Sequence, residues 1–379
     1  MESAGELALG QASRAHLSAC PDCAKAIPLP IMGQKILIRV PNHLGDCILA
    51  MPMVNEVREA YPGSSVTVLV PEYLAEIFEH NPAIDAVFKI PGKYVHGMMA
   101  VVKLREIIAP HEFDIGFILP PSFGAAAGFK LTGIEERIGY IADGRRLLLT
   151  RPMPLPAPIN SQHRAETYFD LLRRATEKPL EFVRPKLFLS ETDARKAAVS
   201  LAGLGITADQ PYAAISFQAV AESRRWGTEN YRKLAERLVE NHKLAIVLIG
   251  GPSDQRLGDE IVETAGHKEI VNLAGKTTLR ESAAILAQAE LFVGNDSGPA
   301  HLAAAVDCPV VVISGADDPK ETSPLARHKR LIYLSHLDCI SCVKNRCPLK
   351  PDQQMQCMKQ ITIVSVLDQV ADLLRETAG

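Results

Sequence analysis

From Lys35 onward, apolar residues gather into short runs that end in small or polar loops, and most of these runs are followed by a stretch with helical spacing. The run Lys35-Ile-Leu-Ile-Arg-Val40 predicts a buried strand. It stops at Pro41-Asn-His-Leu-Gly-Asp46, after which Ile48, Leu49, Met51, Met53 and Val54 begin a helical stripe despite Pro52. Ser65-Val-Thr-Val-Leu-Val70 and Asp114-Ile-Gly-Phe-Ile-Leu119 predict further strands, with helices over 94–108 and around 124–131. A second alternation follows. It has strands over 212–216, 244–249, 291–293 and 309–314, and helices over 229–240, 279–287 and 299–305. Alternation of this kind builds parallel sheets covered by helices.

Between the two series the chain reads Arg151-Pro-Met-Pro-Leu-Pro-Ala-Pro158. Alternate prolines continue neither a helix nor a central strand, so the connection between domains is placed here. The expected organisation is a loose extension over 1–31, a first Rossmann-like domain over 32–160 and a second over 161–379. The extension has no sustained period, and Met32 stands just before the first strong strand. Two open α/β domains in tandem turn their strand ends toward a common cleft, where ligands of such sheets bind.

Composition narrows the function. A chain of 379 residues with 47% hydrophobic and 5% aromatic content suits two cores rich in Ala, Val, Leu and Ile. With 41 basic and 44 acidic residues, no overall field draws it to nucleic acid, so no nucleic-acid partner is expected. No run approaches the roughly 18 apolar residues of a membrane span, and the first thirty residues lack a signal-peptide pattern, so a cytoplasmic protein is expected. Eight cysteines in so long a chain do not suggest a disulfide scaffold.

Val293-Gly-Asn-Asp-Ser-Gly-Pro-Ala-His301 carries the strongest chemical signal. Gly294 and Gly298 allow close approach of the backbone, Ser297 offers a hydroxyl, and a helix starting near Pro299 aims its dipole and free N–H groups at an anion. The same residues equally describe a turn that only caps a helix. Asp46, at a helix start after the first strand, is either a stabiliser of that helix or a base facing the cleft. Asp254 follows the strand 244–249 and either accepts from a ribose hydroxyl or stabilises the next helix. Arg224 is a candidate cation for phosphate, while an exposed surface charge suits at least one of Arg224 and Arg225. Trp226 reads as core packing or a helix-entry staple rather than a sugar platform. Cys339, Cys342, Cys347 and Cys357, within a Cys-rich segment over 339–357, are enough thiols for a structural zinc site, with unpaired buried thiols or a disulfide as the alternatives. Cys20 and Cys23 are a separate pair or nothing.

The stretch Gly294-Asn-Asp-Ser-Gly-Pro-Ala-His-Leu-Ala-Ala-Ala305, followed by Cys308-Pro-Val-Val-Val-Ile-Ser-Gly315 and Asp318-Pro319, resembles the signature of glycosyltransferase family 9, the lipopolysaccharide heptosyltransferases. Val40-Pro-Asn-His-Leu-Gly-Asp46, Arg224-Arg-Trp226 and Gly275-Lys-Thr-Thr-Leu279 extend the likeness over most of the chain after Lys35. The resemblance implies a GT-B architecture and inverting sugar transfer that requires no cofactor or metal for catalysis. It implies an ADP-heptose donor, a lipid A/Kdo-type lipopolysaccharide core acceptor, and peripheral contact with the cytoplasmic face of the inner membrane. It assigns the donor diphosphate to Asp296, Ser297, Gly298 and His301, and the base to Asp46. The family usually has a lysine where Arg224 stands, and Phe217-Gln-Ala-Val-Ala-Glu-Ser223 and Gly227 also depart from its pattern. Those departures leave nucleotide and sugar identity open, so a family-9-like transferase using another nucleotide sugar is one alternative; a non-catalytic nucleotide- or metal-binding protein centred on the cysteine cluster is the other.

Overall fold

A computed structural model describes residues 33–378 except His96, 157–161 and Ala208. The expected extension over 1–31, with Cys20 and Cys23, lies outside the described residues. The first half runs β1 (Lys35–Arg39), α1 (Leu44–Ala60), β2 (Ser65–Pro71), β3 (Ala86–Ile90), α2 (Met98–Ile108), β4 (Ile115–Ile118), α3 (Phe123–Lys130), β5 (Glu136–Tyr140), β6 (Arg151–Met153) and α4 (Arg164–Thr176). The second runs α5 (Glu191–Ala202), β7 (Tyr212–Ser216), α6 (Thr228–His242), β8 (Ala245–Leu248), α7 (Gln255–Ala265), β9 (Ile270–Asn272) and α8 (Leu279–Leu286). It continues with β10 (Leu291–Asn295), α9 (Gly298–Ala305), β11 (Val310–Ile313), α10 (Pro319–Thr322), β12 (Lys329–Ile332), α11 (Gln356–Lys359) and α12 (Ile363–Thr377).

Each half is a six-stranded parallel sheet, ordered β3-β2-β1-β4-β5-β6 in the first and β12-β11-β10-β7-β8-β9 in the second. Counted within its own half, each sheet has the doubly wound order 3-2-1-4-5-6. The expected α/β class and tandem Rossmann-like arrangement are what the chain adopts. In β1, Ile36 pairs with Val66 on one side and Ile115 on the other, which makes it a central strand; its last four residues are buried. That explains the unbroken apolar run: a strand covered on both faces has no solvent side for polar residues to occupy.

The proline segment at Arg151–Met153 is the edge strand β6, a place where a missing N–H costs the ladder least. Helix α4, which follows it, packs against α1 and against β5 and β6, so it covers the first sheet although it lies beyond the expected boundary at 160. α5 packs on α8 and belongs with the second half. One buried apolar cluster runs continuously from Ile36 and Val54, through Leu171 and Leu172 of α4, to Phe292 and Leu302.

The strand order reverses between β1 and β4 in the first sheet and between β7 and β10 in the second. Ligands of open parallel sheets bind at the carboxyl ends of strands at such reversals. Here those ends lead into the Asp46 helix, the Arg224 loop and the Asp296–His301 turn.

Candidate functional site

Two helix N-termini meet between the halves. α1 presents Leu44-Gly-Asp46 and α9 presents Gly298-Pro-Ala-His301, and the fit depends on two glycines. A Cβ on Gly45 would lie 3.0 Å from His301 Cδ2, and one on Gly298 would lie 3.0 Å from Leu44 Cδ2. With no side chain at either place, the two positive dipole ends stand close together, an arrangement suited to a multiply charged anion.

Ser297 is the N-cap of α9, in extended backbone, yet its side chain caps no helix amide; its hydroxyl donates to the Asn295 carbonyl at 3.2 Å. Pro299 has no N–H and the Ala300 and His301 amides donate to the Ser297 carbonyl at 3.0 and 3.4 Å, so within the first turn of α9 it is the Gly298 amide that is left for another acceptor. Asn295, fully buried, fixes the strand end: its Oδ1 accepts from the Trp226 amide at 3.0 Å and from the Tyr231 hydroxyl at 2.9 Å. Trp226 is core, as its reading suggested; its indole N–H donates to the Ile361 carbonyl at 2.9 Å.

Asp296 is 3% exposed and accepts a 3.0 Å bond from the Ser314 hydroxyl. Burial, aided by nearby Asp317, pushes its carboxyl up to about 7. His301 is 5% exposed with Nδ1 unpartnered, and burial, reinforced by His163, Lys329, Arg224 and Arg164, pulls its imidazole down to about 3. The 3.9 Å approach of His301 Nε2 to Asp296 is thus not an ion pair, because the ring is neutral at ordinary pH. A buried imidazole with an unpartnered nitrogen and several cations around it fits an anionic ligand.

Arg224 closes the opposite wall. It ends a short 3-10 turn, Glu222–Arg224, and its Nη2 lies 2.5 Å from Asp317 Oδ1, while its Nε is buried without a partner. Burial holds the Asp317 carboxyl up at about 6 despite Arg224 and Arg164, and Asp46 is among the charges that raise it. Asp46 in the first half and Arg224 in the second thus lie within one electrostatic neighbourhood. Arg225 instead turns back on its own loop, donating to the carbonyls of Ala219 at 2.8 Å and Val220 at 3.4 Å, and is exposed.

Sequence reasoning missed Arg164. Its Nη1 donates to Asp46 Oδ1 at 3.3 Å and its Nη2 to Glu321 Oε1 at 2.5 Å, so one guanidinium ties the first half's carboxylate to α10. Its neighbour His163 caps α4 through Nδ1, 3.3 Å from the Ala165 amide, and donates from Nε2 to the Ser323 carbonyl at 2.9 Å. A cation in the first turn of α4 works against the helix dipole, and that was the available signal of another purpose. Lys329, which donates to Ser323 Oγ at 3.0 Å, also joins the cluster. No local spacing links these residues to Asp46.

Asp254 is not brought into this cluster. Its Oδ2 accepts from the Gly251 amide at 2.9 Å and its Oδ1 from Ser253 Oγ at 3.2 Å, so its observed bonds are those of the turn before α7. The ribose role expected for it finds no support in these contacts. The four late cysteines do come together: Cys339, Cys342, Cys347 and Cys357 line one small cavity beside Ser223 and Ala316. As the side chains lie, no group of three or more His, Cys, Asp or Glu among the described residues forms a ready metal-holding set.

The family whose model matches the chain is Glycosyltransferase family 9 (heptosyltransferase), over residues 101–352. Lipopolysaccharide heptosyltransferase 2 of Salmonella typhimurium is 27% identical over 314 residues, covering 79% of this chain and 88% of that protein. Lipooligosaccharide heptosyltransferase 2 of Haemophilus ducreyi is 29% identical over 315 residues, with the same coverage. Among solved structures, the Escherichia coli ADP-heptose lipopolysaccharide heptosyltransferase II superposes with a TM-score of 0.75 at 25% identity, covering 91% of this chain and 100% of that one.

Proposed function

We propose a mechanism from the premise that the chain belongs to glycosyltransferase family 9, the heptosyltransferases: it transfers heptose from ADP-heptose to the inner core of lipopolysaccharide, with inversion and without a catalytic metal. The observation that carries the reading is the placement of Asp46, at the N-terminus of α1, opposite the N-terminus of α9 and the Arg224–Asp317 pair.

The donor's diphosphate lies against the first turn of α9, where the backbone of Ser297 and Gly298, the neutral His301 imidazole and the dipole end offer hydrogen bonds and positive potential. Arg224 adds a planar cation where charge develops on the leaving oxygen. An acceptor hydroxyl approaches the anomeric carbon from the face opposite the diphosphate. As its oxygen forms the new bond, Asp46 takes its proton and the bond from the anomeric carbon to the diphosphate oxygen breaks, releasing ADP. Arg164 holds the Asp46 carboxylate in place, and its second branch on Glu321 keeps that carboxylate tied to the donor half. Positive charge from Arg224, Arg164, Lys329 and the helix end supports a metal-free mechanism.

The acceptor is bound against the first half, which also faces the membrane. No described helix is long and apolar enough to cross a membrane. What supports peripheral contact is the exposure, on the adjoining helices α2 and α3, of Met99 and Phe123, 60% and 53% exposed, together with the exposed cations Arg105 and Lys130.

Calorimetric titration with ADP, UDP, GDP and their diphospho-sugars, in chelator, tests the donor site. Selective binding of ADP and ADP-heptose, lost in His301→Ala, is the expected result. Preference for UDP or GDP would move the substrate while leaving the fold in place, and no nucleotide binding would end the enzyme reading.

A further inference from the structure

The segment from residue 335 to residue 355 lies between β12 and α11 without a helix or strand of its own, and most of its side chains are half-buried or exposed. It nonetheless grips the donor half's working loops. The Ser341 amide donates to the Gly315 carbonyl at 3.1 Å and the Val343 amide to the Ala316 carbonyl at 2.8 Å, immediately before Asp317. The Ser341 hydroxyl donates to the Asp317 carbonyl at 3.1 Å. On the other side, the Ser223 amide donates to the Asn345 carbonyl at 3.2 Å and its hydroxyl to the Lys344 carbonyl, immediately before Arg224. The Arg224–Asp317 pair is therefore clasped from behind by a stretch with no fully buried side chain, whose apolar packing is limited to Leu337, Ile340 and Met355 at the margin of the second core.

Such a stretch holds a shape only if something crosslinks it, since a small apolar area cannot offset the entropy of ordering it. The four thiols stand where a crosslink would act. Cys339 and Cys342 flank a tight turn in which Ser341 has φ 56°, and Val343 follows at φ 53°. The Met355 amide donates to Cys347 Sγ at 3.4 Å, a bond that a thiolate strengthens. Cys357 Sγ packs on Gly315, where a Cβ would approach it to 3.0 Å. All four line one cavity of about 30 Å³, room for one ion and too small for an organic ligand. All four are free thiols. Their spacing, two residues, then four, then nine between successive cysteines, closes a loop around a single centre.

We propose that Cys339, Cys342, Cys347 and Cys357 bind one zinc ion as thiolates, and that this ion fastens the clasp behind Arg224 and Asp317. Thiolate donors select zinc over the oxygen-seeking cations, and four of them complete its tetrahedron, leaving no open position for chemistry. Each S–H exchanged for an S–Zn bond releases its proton to solvent. As the side chains lie they form no ready metal-holding set among the described residues, so the site requires the four sulfurs to turn inward from the cavity wall when the ion binds. The ion's role is structural, so its presence accords with a transfer step that uses no metal. The zinc site stands apart from the donor reading; only the consequence for Arg224 rests on it.

The test uses the full chain in a Cys20→Ser/Cys23→Ser background, so that bound metal reports on this cluster alone. Elemental analysis of the reduced protein is expected to give about one zinc per chain, and cobalt substitution to give the intense visible bands of a tetrahedral thiolate site. Cys342→Ser and Cys347→Ser should each lose the zinc. Removing zinc from the parent should speed amide exchange in peptides covering 221–226 and 339–347, whether or not nucleotide binds. Parent protein that neither retains nor takes up zinc or cobalt would overturn the site, even if the serine variants fail to fold. So would a disulfide among these cysteines in protein kept reduced. Iron in place of zinc would overturn the choice of ion, and unchanged exchange on zinc removal would overturn the clasp.

Discussion

Gly45 and His301 meet across the two halves of the protein: a Cβ on Gly45 would lie 3.0 Å from His301 Cδ2 and 3.3 Å from Nε2. The helix that carries the proposed base and the helix that carries the proposed phosphate site thus fit together through an imidazole that occupies the place of a missing side chain. In Gly45→Ala the ring must shift, and overpacking of this kind costs about 1–3 kcal/mol. The expected outcome is a folded protein with a lower melting temperature and about tenfold weaker ADP binding, because donor groups aimed at the diphosphate are displaced. Thermal unfolding and calorimetry on the same preparation check it; unchanged ADP affinity would separate His301 from the donor.

Arg164 touches Asp46 and is assigned to holding it, which makes the two residues one unit. Arg164→Ala is therefore expected to lower kcat with little change in donor KM. Its effect should largely vanish when Asp46 is already Asn, as it does for residues that act through each other. Additive losses in the double-mutant cycle would mean that Arg164 acts elsewhere.

Arg224 is expected to matter more in turnover than in ground-state binding. Arg224→Ala should lose on the order of 10²–10³ in kcat, the scale for removing one donor from developing charge. Arg224→Lys should recover part of it, since the charge returns without the planar fork. Steady-state kinetics with varied ADP-heptose distinguish this from a binding role.

The raised carboxyl of Asp296, at about 7, gives donor binding a pH dependence. Asp317 at about 6 and the cations Arg224 and Lys329 face the same space, while His301, at about 3, stays neutral through the range. An incoming diphosphate disfavours ionised Asp296, so affinity for an ADP-sugar should fall several-fold from pH 6 to pH 8. Asp296→Asn should flatten that fall. The same group sets a sign for stability. Its folded value lies above its unfolded one, so between roughly pH 4 and 7 the folded state holds the extra proton, and this contribution weakens as pH rises. His301 acts in the opposite sense below roughly pH 6.5, where the unfolded state gains the proton.

Much of this was legible in the chain because the central strands are buried on both faces. β1, β7, β10 and β11 are each built on a run of buried apolar residues, and the small residues of α9 mark a helix pressed close to its neighbours. β3 has a half-buried pattern, β9 has three residues, and β6 contains Pro152; each lacks the length or the pattern that identifies a strand. At the site, Asp46 and the Asp296–His301 turn could be read because each follows a strand at a helix start. Arg164, Asp317 and Lys329 reach the cleft only through tertiary folding, with no spacing that joins them to Asp46. Asp254 also follows a strand, and its bonds to the Gly251 amide and the Ser253 hydroxyl are those of the local turn, the other use that its position allowed.

The central claim is that Asp46 removes the acceptor's proton. The most direct measurement takes Asp46→Asn and the parent protein and compares heptose transfer to an inner-core glycolipid with calorimetric ADP binding on the same samples. Turnover reduced on the order of 10²–10⁴, with ADP affinity within about twofold of the parent, is the outcome expected of a lost general base. Turnover that stays within about twofold of the parent would contradict the mechanism and leave Asp46 as a helix stabiliser.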